Sequence, residues 1–121
     1  MKPLKILHIE DEPSDASLLK LKLKRAQVSA DIQVVTDTQS LKDAIQEFKP
    51  EVVVSDNSMP NLTAKDALAL IKASLPEVPF VLFTGAVRPT PAEEATIQAA
   101  DHFFLKDDIN QLVGWIKSYQ S

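Results

Sequence analysis

The sequence predicts an α/β domain: a parallel β-sheet with helices on both faces. Three observations carry that prediction. Five short apolar runs alternate with five segments of helical character, and such alternation implies parallel strands joined by crossover helices. The connections are short, leaving no room for inserted layers. The third run, Val52 to Ser55, is almost continuously apolar, as expected for a strand covered on both faces.

Residues 4–9 form the first strand, broken only by Lys5 and His8. It ends in Glu10-Asp11-Glu12-Pro13, a loop, because proline lacks a donor and pushes its predecessor towards extended geometry. Ser14 and Asp15 are the N-cap candidates for a helix over about 14–26. Leu19 to Lys24 alternates with period 2, a strand signal. Helix is the better reading: Leu and Lys favour it, and residues 17–26 contain no β-branched side chain. Ala16, Leu19, Leu23 and Ala26 then share one face, while Leu18 and Leu21 fall on another. Those two are either partly covered or part of a contact surface.

The second strand spans 32–36, and Thr36-x-x-Gln39 resembles a capping box for the next helix. Leu41, Ala44, Ile45 and Phe48 give that helix an apolar face, and Lys49-Pro50 stops it. Asp56 stands where the third strand ends, before a loop over 57–63. Thr63-x-x-Asp66 caps a helix with Ala64, Ala67, Leu68, Ile71 and Leu75 on one face. Residues 80–83 form the fourth strand, followed by Thr84-Gly85. Thr90-Pro91-Ala92-Glu93 combines an N-cap, proline at N1 and Glu at N3, a specific helix start. Residues 103–105 form the fifth strand and Lys106 ends it. Asp107 and Asp108 open the last helix, whose core face is Ile109, Leu112, Val113 and Ile116.

A chain of 121 residues is expected to form one domain with its own core. No cysteine is present, which excludes disulfides, thiolate metal sites and thiol nucleophiles. A net charge of −4 argues against direct nucleic-acid binding. No apolar run reaches the roughly 18 residues a membrane span needs, and the N-terminus lacks a signal-peptide core. The expected location is cytoplasmic, with no membrane partner. Two glycines, Gly85 and Gly114, are too few for a dinucleotide or P-loop fingerprint.

Ligands of open α/β sheets bind outside the carboxyl ends of the strands. At those ends stand Glu10, Asp11 and Glu12, then Asp56, then Thr84, then Lys106. Clustered carboxylates repel and need a cation to stay ionised, and hard oxygen ligands suit Mg²⁺. A lysine and a hydroxyl facing them suit a phosphoryl group. In this set the chain resembles a response regulator receiver domain over essentially its whole length. The matching elements are Glu10-Asp11, Asp56-x-x-Met59-Pro60, Thr84-Gly85 and Phe103-x-x-Lys106, each weak alone and strong in this order.

The resemblance implies a flavodoxin-like (βα)5 fold with strand order 2-1-3-4-5. It implies that Asp56 is the phosphorylation site, accepting a phosphoryl group from a histidine kinase or histidine phosphotransfer protein. Glu10, Asp11, Asp56 and the backbone carbonyl of Ser58 are then the Mg²⁺ ligands. Lys106 offsets charge on the transferring group, and Thr84 hydrogen-bonds it. Thr84 and Phe103 form the switch, signalling to a downstream protein target. The implied activity is self-phosphorylation and autodephosphorylation rather than turnover. Ala64 and Ala99 stand where many relatives have glycine, Asp107 where proline usually follows the lysine, and Phe103 where tyrosine is commoner.

His8 inside the first strand reads as structural, and His102 is assigned no chemistry. Trp115 lies off the apolar stripe of its helix and is either packing or a partner contact. Leu18 and Leu21 are edge residues or a kinase-docking surface. Two rivals remain. One is a pseudo-receiver, an interaction module that does not use phosphorylation. The other is a flavodoxin-like electron carrier, disfavoured because Glu10, Asp11 and Glu12 would repel an FMN phosphate. With no room for an output domain, the signal is expected to pass by protein contact, by onward relay of phosphate, or through a longer chain of which this is a fragment.

Overall fold

The apolar runs become five parallel strands in the computed structural model, which describes residues 2–57, 59–85 and 90–120. They are β1 (Leu4–Ile9), β2 (Ala30–Val35), β3 (Val52–Ser55), β4 (Phe80–Thr84) and β5 (His102–Leu105). The order across the sheet is β2-β1-β3-β4-β5, the flavodoxin-like arrangement the resemblance implies. The helices are α1 (Pro13–Arg25), α2 (Thr38–Glu47), α3 (Ala64–Ser74), α4 (Pro91–Ala99) and α5 (Ile109–Gln120).

Side chains alternate along a strand, so each inner strand feeds two cores. Ile6, Val52, Val54, Val81 and Phe83 pack with Leu19 and Leu23 of α1 and with Leu112 and Ile116 of α5. Leu7, Ile9, Val53, Phe80 and Leu82 face the other way, against Leu41 of α2, Ala67 and Ile71 of α3 and Ile97 of α4. Val52, Val53 and Val54 are all fully buried, which accounts for the unbroken apolar run. Burying one such side chain is worth about 1.5 kcal/mol or more, so β3 anchors the strand end that carries Asp56.

The period-2 stretch of α1 is helical because its buried leucines, Leu19 and Leu23, are four apart. Two expected helix starts are corrected. The α1 N-cap is Glu12, not Ser14 or Asp15: its carboxylate accepts from the Ser14 N–H, and Pro13 takes the first helical turn, where no N–H is needed. The α2 cap is Asp37 with Ser40, one residue beyond Thr36-x-x-Gln39. Asp37 accepts from the Ser40 N–H at 2.8 Å, and Ser40 Oγ reaches back to the Asp37 N–H. The Thr90–Glu93 capping box forms as expected.

The limits of three strands also move. β2 runs two residues earlier and stops one residue earlier than expected, β4 includes Thr84, and β5 includes His102. Asp107 and Asp108 lie in a short 3-10 turn with Lys106, ahead of α5. Lys49 closes α2 in the left-handed region, at φ 53°, which lets its N–H reach the Ala44 carbonyl at 3.0 Å.

Candidate functional site

Parallel pairing brings the ends of β1, β3, β4 and β5 to one edge of the sheet. Ile9 pairs with Ser55, and Thr84 with Leu105, so the residues that follow β1 and β3 emerge side by side. Glu10, Asp11 and Asp56 meet there, with one carboxylate oxygen from each lying within 4.8 Å of the others. Backbone contacts hold Asp56 in place. Its N–H donates to the Ile9 carbonyl at 2.9 Å, and its Oδ1 accepts from the Asn57 N–H at 2.7 Å. Asp56 Oδ2 faces Lys106.

Lys106 Nζ bridges three carboxylates. It lies 2.6 Å from Asp15 Oδ2, 2.9 Å from Glu10 Oε1 and 3.5 Å from Asp56 Oδ2. Burial works against the ammonium, but the hydrogen bonds to Asp15 and Glu10 and the charge of Asp56 outweigh it and hold the lysine pKa above its ordinary value. Glu10 is buried. Burial raises its carboxyl pKa, Lys106 opposes the rise, and the charge of Asp56 reinforces it. The edge is therefore a carboxylate cluster that needs positive charge, and Lys106 supplies part of it.

Thr84 is buried at the end of β4, on the face that Phe80 and Leu82 share. Phe103 is half-buried and packs against that same core, so the two residues expected to switch lie on one side of the sheet. Ser58 lies outside the described residues. Leu18 and Leu21 are 41% and 42% exposed, three apart on α1. Trp115 packs against the core while its ring contacts those of His102 and Tyr119 at centroid distances of 4.6 and 5.3 Å. Trp115 is half-buried.

A sequence profile of the response regulator receiver domain matches residues 6–117. The chain belongs to this family. Among curated relatives, the receiver-domain chain is 29% identical over 98 residues to the regulatory protein LuxO of Vibrio vulnificus, covering 81% of this chain and 21% of LuxO. It is 26% identical over 108 residues to the response regulator protein VraR of Staphylococcus saprophyticus, covering 86% and 50%. The chain thus spans half or less of the length of these relatives. Among solved structures it resembles the signal receiver domain of a DNA-binding response regulator from Colwellia psychrerythraea, at TM-score 0.81 and 26% identity over 96% of this chain and 97% of that one. Chemotaxis response regulator CheY4 of Vibrio cholerae shares the fold at TM-score 0.75 and 16% identity, over 95% and 99%.

As a receiver domain, the chain has a donor set that fits a hard divalent cation: among the described residues three carboxylates converge, one of them buried, beside the Lys106 ammonium. Sequence reasoning missed three members of the neighbourhood. Asp15 makes the shortest contact to Lys106. Asn57 donates through Nδ2 to Glu93, which also closes the α4 cap, so the residue after Asp56 is tied to the start of α4. His8 is fully buried behind Glu10. A groove of about 500 Å³ adjoins the site through Asn57 and runs between α3 and α4, but none of the clustered carboxylates lines it. The chemistry belongs to the open sheet edge.

Proposed function

We propose that this receiver domain is a phosphoacceptor of a two-component or phosphorelay system, with Asp56 as the accepting side chain. The observation that carries the reading is the convergence of Asp56 with Glu10, Asp11 and the Lys106 ammonium on one sheet edge. An Asp56 carboxylate oxygen attacks the phosphorus of the donor. The phosphorus–nitrogen bond of a phosphohistidine breaks, and the imidazole leaves with the electron pair. Lys106 moves from the carboxylates to the phosphoryl oxygens and offsets their charge. Thr84 provides a hydroxyl for the bound group, and Phe103 follows it. Glu10, Asp11, Asp56 and the Ser58 carbonyl would hold Mg²⁺, which when bound supplies the charge that lets two anions approach.

The donor in this reading is a histidine kinase or histidine phosphotransfer protein, and the output is a contact with a downstream protein, within a single domain spanning residues 1–121. The expected result is Mg²⁺-dependent labelling by acetyl phosphate that disappears in Asp56→Asn. A folded wild-type protein that takes no label from acetyl phosphate or from a phosphohistidine donor overturns the reading in favour of an interaction module that does not use phosphorylation.

A further inference from the structure

His8 occupies the middle of β1 and is fully buried. Neither ring nitrogen has a hydrogen-bond partner among the described residues. An unpaired buried polar group costs on the order of 1–3 kcal/mol. The same strand face carries Leu4 and Ile6, and an aliphatic residue would fill the position without that cost. A local rule broken without a structural gain points to function.

The surroundings say which function. His8 Nε2 lies 4.0 Å from Glu10 Oε1, too far for a hydrogen bond but within about 1 Å of one. The same oxygen accepts from Lys106 at 2.9 Å. The other charged groups that act on the ring are Lys106 and Asp15. When Lys106 turns to a phosphoryl group, Glu10 Oε1 loses its donor inside a buried site. The neutral ring carries one N–H, and the facing carboxylate favours its placement on Nε2.

We infer that His8 is a positioning residue for Glu10: its Nε2–H takes over Glu10 Oε1 when Lys106 leaves, and holds the carboxylate in place for a divalent cation. The inference rests on Glu10 being a metal ligand, as proposed above. Groups that hydrogen-bond a ligating carboxylate orient it, and their loss typically weakens metal binding 10- to 100-fold.

The test is Mg²⁺ titration of the full chain by calorimetry, with and without beryllofluoride as a phosphoryl mimic, alongside thermal melts in EDTA. His8→Leu is expected to melt no lower than wild type in EDTA, since it removes an unpaired buried polar group. In beryllofluoride, where Lys106 turns away from Glu10, it is expected to bind Mg²⁺ about tenfold more weakly, and to differ little from wild type without it. His8→Gln keeps an N–H donor and recovers most of the affinity. A residue that only fills the core would move melting and metal affinity in the same direction. If wild type binds Mg²⁺ and His8→Leu matches it in beryllofluoride, the His8 inference falls alone. If wild type binds no Mg²⁺, the metal reading of Glu10 falls and takes the inference with it. Should His8→Leu fail to fold, His8→Val carries the same comparison.

Discussion

Asp15 holds Lys106 at 2.6 Å, closer than Glu10 at 2.9 Å or Asp56 at 3.5 Å. An ammonium held by one carboxylate is less available to another group, so in the proposed transfer Asp15 would compete with the incoming phosphoryl group for Lys106. The Asp15 side chain is 36% exposed, and a pair of that kind is worth up to about 1 kcal/mol. Asp15→Asn is therefore expected to speed labelling by acetyl phosphate roughly threefold to fivefold, given about 1.4 kcal/mol per tenfold change. Initial rates at fixed Mg²⁺ decide it, and an unchanged or slower variant means that Asp15 does not restrain Lys106. The site residues that follow strand ends were legible because each sits beside a local signal: Pro13 after the acidic cluster, Met59-Pro60 after Asp56. Asp15 was not. It reads as an ordinary helix-start aspartate, and its partner is 91 residues away, a relation that no local pattern encodes.

Between elements, Asp101 joins β4 to β5 at the end of the sheet remote from the site. Its carboxylate accepts from the Phe80 N–H at 2.7 Å and from Lys72 at 2.5 Å, while its own N–H donates to the Phe80 carbonyl at 3.0 Å. This clip sets the register that pairs Leu82 with Phe103. Burial works against the carboxylate, but the hydrogen bonds from Lys72 and Phe80 outweigh it, and the pKa falls below the ordinary value of 3.8. The depressed folded pKa means that the ionised form stabilises the fold above about pH 4, and that this contribution is lost as pH falls through the folded value. Asp101→Ala is expected to cost about 1 kcal/mol at pH 7, with the gap to wild type narrowing below pH 4. Urea unfolding of both proteins at pH 7 and pH 3 measures it, and an equal gap at both values refutes the clip. The same scale explains which helix starts were readable. Thr90-Pro91-x-Glu93 uses three residue types suited to their positions. Glu12 is an uncommon cap, and Asp37 with Ser40 offered less signal than the adjacent Thr36-x-x-Gln39.

Across the whole molecule, alternation of apolar runs with helical patterns was enough to predict parallel strands and to place the candidate residues on one edge. The strand order was not contained in those periodicities, because crossover handedness and neighbour choice depend on long-range packing; it came from the resemblance. The first helix, α1, exposes Leu18 and Leu21. Residues three apart share a helix face, so the pair forms a small apolar patch suited to a protein partner. Leu18→Asp with Leu21→Asp is expected to lower phosphotransfer from a phosphohistidine protein at least tenfold and to leave acetyl phosphate labelling within about twofold of wild type, since buried apolar anchors of this kind carry about 1.4 kcal/mol or more between them. Equal transfer from the protein donor places docking elsewhere.

Lys106 is one positive charge among Glu10, Asp11, Asp15 and Asp56. The local surplus is three negative charges, against four for the entire chain. The rest of the chain sums to one negative charge, so most of the net charge lies at one end of the sheet. Cations are drawn to that end before any contact forms, and anions are turned away from it. Counter-ions gather at that end, and one divalent cation held there would cut the local surplus from three negative charges to one.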